Sequence, residues 1–568
     1  MAARLFAYFP EGVTPRPEQA RLLAALERAV EGGDGVVLVE APPGVGKSHV
    51  AMTLARWSGD AYLLTSQKLL QDQYEREFGD CLQLVKGRDN YPCELYPAEL
   101  RVTTSHGKCR RPRGPQCQCP YVRAKAAALN GPIFCTNTAY FATLRQWHGE
   151  QLRRRRLLLI DEAHTLEAQL TSVFTVSFSA DQMKDWFGAA LPRLADSGAY
   201  RELLPEHLER LEDRLETLRR TLDDPAFADL PPSREEQELQ GALDRIRFFL
   251  GAPDAEWAVR YPPEPGSALE LLPLTVAPMA RALLFDAADL TVLLSAYLGH
   301  RAVLAECFGL RPDTMRAFAV DSPFALERRP IVYRPVGALS KESLARLEPA
   351  LWAEVAAILA AHAEDKGLIH APSYVAARRL RADLSDRAPA LARRILLVDS
   401  SAAKPHALEQ HRGSRQPTVL LSPSMREGID LPDEFLRFQI ITKMPYPDLG
   451  DPWTAARQAR DPRWYALETA KALVQAYGRG CRHAGDHGTT YILDAQFQRF
   501  LTRYRPLLPP WFRDAAEAAL REEKRAWSVP RPSYQRPCDH AALFANHEPD
   551  VAGLPCPRCH RWIERSSR

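Results

Sequence analysis

The stretch that most constrains this chain is EAPPGVGKSH, residues 40–49. It follows GVVLVE (35–40), a short apolar, β-branched run that reads as a buried strand, and it leads into a helical stretch. Strand, small-residue turn and helix together form the context in which backbone N–H groups and a helix N-terminus bind phosphate. The turn consists of Ala41, Pro42, Pro43, Gly44, Val45 and Gly46, with Ala41 standing where the general pattern has glycine. Lys47 is expected to reach the β- and γ-phosphates of a nucleoside triphosphate, and Ser48 to hold its Mg²⁺. Such a loop commits the surrounding chain to an α/β fold around a mostly parallel sheet.

Further strands support that commitment. AYLLTS (61–66), LLLIDEAH (157–164) and TVLLSA (291–296) read as neighbours of the first strand, and residues 17–31 as a helix. Two segments of other character interrupt them. Residues 81–135 are rich in Cys, Pro and Arg with little periodicity, and residues 167–268 are strongly helical in pattern. A second α/β unit follows, with strands at 367–372, 394–399, 417–423, 438–445 and 489–494, and a Pro-, Arg- and Cys-rich tail begins near Ser528. The expected division is 1–300, 301–527 and 528–568, with 81–135 and 167–268 as insertions in the first unit.

Composition excludes some classes. Lys plus Arg total 74 and Asp plus Glu 71, so the net charge of +3 gives no bulk cationic character. Any polyanion must then meet local patches such as Arg110, Arg111 and Arg113, or Arg153 to Arg156, which read equally as solvated faces. No stretch reaches the roughly 18 apolar residues of a membrane span. MAARLFAYFPEG lacks a signal-peptide core. A cytoplasmic chain is expected, where clustered cysteines bind metal more often than they pair.

Two more groups belong with the phosphate loop. Asp161 and Glu162 end an apolar strand, where one carboxylate can hold Mg²⁺ and the next can orient the attacking water. Gln475, Arg479 and Arg482 in QAYGRGCR fall at i, i+4 and i+7, the spacing of one helix face, from which arginines can stabilise charge on a γ-phosphate. Taken in order, RPEQ (16–19), EAPPGVGKSH, DEAH (161–164), LLSAYLG (293–299), KGLIHAPSY (366–374), SPSMREGIDLPDE (422–434) and QAYGRGCR resemble the motifs of the DinG/XPD-like branch of superfamily 2 helicases. KGRDNYPC (86–93) and CPY (119–121) resemble the flanks of that branch's iron–sulphur domain, and the resemblance spans about residues 5 to 500. Ala296 and Tyr297 depart from it, standing where the third motif has a small residue and then Thr.

The resemblance implies two RecA-like lobes with parallel sheets, an iron–sulphur insertion (81–135) and a helical arch-like insertion (167–268) in lobe one, and leaves a small metal-binding tail. It implies an ATP-dependent DNA helicase moving 5′ to 3′, with ATP between the lobes. Single-stranded and forked DNA as partner, a monomer and DNA repair are expected beside it, while RNA, R-loops and D-loops stay open as substrates. Gln19 would read the adenine, and Glu427 and Asp430 would serve in the fifth motif. Four cysteines, by position Cys93, Cys109, Cys117 and Cys119, would hold a [4Fe–4S] cluster. A Cys₄ zinc site is the alternative. The single residue between Cys117 and Cys119 makes Cys135 the substitute ligand, although its PIFCTN context reads as buried strand. Cys307 and Cys481 read as packing residues. In the tail, Cys538 and His540, then fifteen residues, then Cys556 and Cys559 suit a Zn²⁺ site or else a basic tail with incidental cysteines. Two other functions stay open: a nucleic-acid-stimulated ATPase switch without strand separation, and a redox sensor.

Overall fold

Four successive apolar residues, Val36 to Val39, cannot all face one side of a strand, so the run must be covered on both faces. In the computed structural model β1 (Gly35–Glu40) buries all four. The structure describes residues 4–30, 35–107, 117–187, 191–222, 234–252, 256–262, 267–400, 402–425, 431–480, 485–528, 553–555 and 562–564. The described chain divides into two units. The first holds residues 1–41, 46–320 and 447–467, and the second holds 42–45, 321–446 and 468–568.

The first unit is built on a seven-stranded parallel sheet. Its strands are β1, β2 (Ala61–Thr65), β3 (Gln83–Leu84), β4 (Ile133–Asn137), β5 (Arg155–Asp161), β9 (Ala288–Ser295) and β10 (Met315–Ala319), in the order β10-β1-β9-β5-β2-β4-β3. The crossover helices include α1 (Pro17–Val30), α2 (Lys47–Ser58), α3 (Lys68–Phe78), α4 (Pro120–Asn130) and α5 (Thr138–His148). The connection from β9 to β10 keeps residues 301–320 in this unit, beyond the expected boundary at 300. MRAFA gave little sign of a strand because β10 is an edge strand with mostly exposed side chains.

Arg155 fixes the insertion to this sheet. It is 1% exposed, and its guanidinium donates to the carbonyls of Ala128, Leu129, Gly131 and Pro132 at 2.7–3.1 Å. These carbonyls close the C-terminal end of α4, where a cation meets the negative end of the helix dipole. The N-cap of the same helix is Cys119. Between β3 and α4 the described backbone makes short 3₁₀ turns and one isolated bridge, Pro92 with Thr103.

The 167–268 segment, strongly helical in pattern, also takes part in a small sheet. Helices α6 (Leu166–Phe174), α7 (Ala180–Phe187), α8 (Ser197–Leu222) and α9 (Arg234–Gly251) are joined by an antiparallel sheet of β6 (Val176–Ser179), β8 (Ser267–Pro273) and β7 (Trp257–Arg260). These strands are short and lie between long polar helices, so alternation such as the buried Val176 and Phe178 has little sequence weight. Residues 447–467 pack on this side of the unit. Helix α10 (Pro452–Arg460) and the start of α11 (Pro462–Tyr477) bring Arg457 to Glu167 at 2.5 Å and Trp464 Nε1 to the same carboxylate at 3.0 Å, all three buried.

The second unit holds a six-stranded parallel sheet of β11 (Ile331–Gly337), β12 (Gly367–His370), β13 (Ile395–Leu397), β14 (Val419–Ser422), β15 (Phe438–Ile441) and β16 (Thr489–Asp494). Its order is β11-β16-β15-β12-β14-β13. A core of Leu351, Val355, Ile358, Ile369, Leu380, Leu421, Phe438 and Ile440 packs on one face. In the tail, Gly553–Pro555 pairs antiparallel with Trp562–Glu564. Among the described residues no helix is long and apolar enough to cross a membrane.

Candidate nucleotide site

Strands β1, β9 and β5 lie side by side, so the loops after them share the carboxyl edge of the first sheet, the edge where parallel α/β sheets bind ligands. Ala41 continues the ladder, its N–H donating to the Ser295 carbonyl at 2.9 Å. Among the described residues the non-glycine positions with positive φ are Arg101, Glu162 and Asp433, so the backbone at Ala41 makes no demand for glycine. Gly44 and Gly46 do make it, at φ +81° and +87°. A Cβ on Gly46 would also lie 2.4 Å from the Gln19 amide nitrogen. Gln19 is buried, accepts the Arg16 N–H at 2.8 Å and donates to the Gly46 carbonyl at 3.1 Å. It therefore braces the loop from α1. Helix α2 starts at Lys47, whose ammonium donates to the Ala41 carbonyl at 3.3 Å and so spans the loop.

Asp161 ends β5 at 3% exposure. One carboxylate oxygen accepts the Glu162 N–H at 2.9 Å and the other the Tyr74 hydroxyl at 2.8 Å. Burial first, and then the adjacent Glu162, push its pKa up to about 6, while Lys47 and the Tyr74 hydrogen bond oppose them. Glu162 takes a left-handed backbone, φ +52°, which is costly for a non-glycine residue and concentrates at functional turns. Its carboxylate lies 3.2 Å from His164 Nδ1.

The third motif joins the same network despite Ala296 and Tyr297. His164 Nδ1 is 2.9 Å from the Ser295 hydroxyl, and Glu40 accepts the N–H groups of Leu298 and Gly299 at 2.7 and 2.9 Å. Ser295 is buried at the end of β9. Burial raises the Glu40 pKa, and the two backbone donors oppose the rise.

In the second unit, α11 ends at Tyr477, which corrects the single-helix-face reading of Gln475, Arg479 and Arg482. Gly478 and Gly480 follow the helix, Arg479 lies in a turn, and Arg482 is outside the described residues. Gln475 is buried, and its amide nitrogen has no hydrogen-bond partner among the described residues. Glu427 and Asp430 also lie outside them. Gln439 on β15 went unnoticed in the sequence. It is fully buried, 3.1 Å from His370 of the fourth motif, and donates to the Tyr477 carbonyl and the Thr490 hydroxyl at 3.3 and 2.9 Å. A lone amide within an apolar strand was the available signal.

The cysteines divide clearly. Cys135 is fully buried in β4, where burial drives its thiol far above the ordinary range; it is a core residue. Cys119 is the N-cap residue of α4, and its side chain makes no capping hydrogen bond; burial first, and then the neighbouring Cys117, raise its thiol pKa, while backbone donors oppose them. Cys93 is 5% exposed, and the ion pair of Arg123 with Glu94 at 2.9 Å ties its turn to the first turn of α4. Cys109, Cys538, His540, Cys556 and Cys559 lie outside the described residues, as do Cys481 and Arg110, Arg111 and Arg113. Among the described residues no three Cys, His, Asp or Glu side chains form a metal-binding group. Cys307 is buried, with the Arg457 guanidinium 3.6 Å from its sulphur.

Comparison with known proteins agrees with this geometry. The Helicase C-terminal domain family matches residues 357–515. The ATP-dependent helicase DinG of Mycobacterium tuberculosis is 26% identical over 481 residues, covering 74% of this chain and 70% of the relative. A solved XPD helicase superposes with a TM-score of 0.60 at 14% identity, covering 87% of this chain and 98% of that one. Together these matches support a DinG/XPD-like superfamily 2 helicase. The Xpd4 structure of S. tokodaii shares the fold too, with a TM-score of 0.54 at 15% identity and coverage of 87% and 98%.

Proposed function

We propose that this chain hydrolyses ATP to move along single-stranded DNA, 5′ to 3′, and to part the duplex ahead of it. The observation that carries the reading is the shared strand edge at which Lys47, Ser48, Asp161, Glu162, His164 and Ser295 meet. The Ala41–Ser48 backbone and the N-terminus of α2 hold the phosphates, and Lys47 leaves the Ala41 carbonyl for the β- and γ-oxygens. Ser48 and Asp161 have the hard-oxygen chemistry that suits Mg²⁺, which when bound neutralises developing phosphate charge. Glu162 orients the attacking water, and Gln475, Arg479 and Arg482 act on the γ-phosphate. The His164–Ser295 bond is the element through which hydrolysis reaches the third motif.

In the insertion, Cys117 and Cys119, with a single residue between them at the start of α4, have the chemistry of cluster thiolates. With Cys93 and Cys109 they would hold a [4Fe–4S] cluster that organises a segment poor in large hydrophobes. Cys538, His540, Cys556 and Cys559 would hold Zn²⁺ in the tail. DNA-stimulated ATPase and forked-duplex unwinding by anaerobically purified protein test the reading. Lys47→Ala should abolish turnover and leave the fold intact. Cys119→Ser should lose iron and unwinding while keeping ATP binding. ATP hydrolysis on single-stranded DNA without release of the partner strand would instead make the chain a switch.

A further inference from the structure

Tyr74 has no place in the motifs, yet it reaches the centre of the site. It lies on the buried face of α3, is 0% exposed, and its hydroxyl donates to Asp161 at 2.8 Å. The phenolic oxygen therefore touches a side chain read above as a Mg²⁺ ligand, at the end of β5. The other Asp161 oxygen is taken by the Glu162 N–H, so Tyr74 supplies the side-chain restraint on the rotamer of that carboxylate. The ring is held in turn. Tyr74 packs against Phe78 at 5.9 Å between centroids, Phe78 meets the edge of His49 at 5.4 Å, and His49 stacks on Phe9 at 5.9 Å. His49 directly follows Ser48, so this aromatic column locks the start of α2 to α3.

We propose that Tyr74 is a positioning residue for the metal site: its hydroxyl holds the Asp161 carboxylate in the orientation in which it would take a nucleotide-bound Mg²⁺. The proposal rests on the reading of Asp161 as a metal ligand. Groups that hydrogen-bond a ligating carboxylate typically change metal affinity by about 10- to 100-fold when removed. In Tyr74→Phe the ring and its packing remain and the hydroxyl alone is lost.

The test is Mn²⁺ binding to the protein–ADP complex, followed by electron paramagnetic resonance, with ADP affinity measured separately in chelator. Tyr74→Phe should weaken Mn²⁺ binding roughly tenfold and leave metal-free ADP affinity unchanged. In steady-state ATPase, the Mg²⁺ concentration for half-maximal rate should rise by a similar factor, with kcat recovered at saturating Mg²⁺. Phe78→Leu, which loosens the column and spares the hydroxyl, should bind Mn²⁺ like wild type. Equal Mn²⁺ affinity in Tyr74→Phe and wild type overturns the proposal, and so does an equal loss in Phe78→Leu. Wild-type protein that binds ADP but no Mn²⁺ overturns the underlying assignment of the ligands instead.

Discussion

Two aspartates end parallel strands in this molecule, Asp161 after LLLI on β5 and Asp494 after TTYIL on β16. Both are buried, and burial raises the pKa of both. Their donors separate them. Asp494 accepts three backbone N–H groups, from Leu339 and Gln496 on one oxygen at 3.1 and 2.9 Å and from Met444 on the other at 3.0 Å. Asp161 accepts one backbone N–H and one tyrosine hydroxyl. A carboxylate surrounded by main-chain donors is a fastener for loops. One held by a side-chain hydroxyl keeps lone pairs for a ligand. The strand ends alike in sequence therefore differ in use, and the difference lies in what reaches each carboxylate from elsewhere in the chain.

The strongest way to break this contrast is to exchange the charge at each position. Asp161→Asn should cut DNA-stimulated ATPase by roughly a thousandfold, the scale for losing a group that stabilises transition-state charge. It should still unfold cooperatively in urea, with a midpoint at neutral pH no lower than that of wild type. Asp494→Ala should do the reverse. Three buried N–H groups lose their acceptor, which costs about 4 kcal/mol of stability in urea, while ATPase per folded molecule persists. If Asp494→Ala folds normally and loses catalysis, the assignment of roles is inverted.

A smaller effect tests the opposite end of β5. Arg155→Met leaves four helix-end carbonyls without their donor and should cost about 3 kcal/mol, read as a lower midpoint in urea. Early proteolysis between residues 85 and 130 should accompany it, because α4 loses its anchor to the sheet.

The smallest effect is in pH. The Asp161 pKa is raised from 3.8 to about 6, so the nucleotide-free fold favours its neutral form. That contribution to stability is full below the unfolded value and is lost as pH rises through about 6. It amounts to about 2 kcal/mol between pH 4 and 7. His411 slopes the other way. Burial lowers its pKa to about 4, so its contribution is present above 6.5 and is lost as pH falls through about 4. Chemical denaturation across pH should show Asp161→Asn losing less stability than wild type between pH 5 and 7. Parallel curves for the two proteins would place the raised pKa on another group.

Local order was legible in the residues where it depends on neighbours in the chain. The phosphate loop, the acidic strand end and most strands of both sheets follow from spacing and apolar runs, because strand, turn and helix form over a few residues. Edge strands were not legible. β10 and the short strands β6, β7 and β8 owe their form to pairing partners far away, and their own side chains are mixed. The end of α11 was readable in Gly478 and Gly480 but was overridden by the regular spacing of the arginines. Tyr74 left one faint sign: Gln71, Tyr74 and Phe78 form the buried face of α3, which puts a hydroxyl in a core where it must find an acceptor.

By itself the sequence determined the α/β fold class, the order of the motifs, and the chemical types available at each: a lysine and a serine after a glycine turn, a carboxylate pair after a strand, thiols in an aperiodic insertion. Only the tertiary structure decided which of these groups touch. Tyr74 reaches Asp161 across 87 residues, His164 reaches Ser295 across 131, and Arg457 reaches Glu167 across 290. Each of these bonds is buried, so the low dielectric makes the presence or absence of a partner decisive. That partner is supplied by packing, which no short-range pattern encodes.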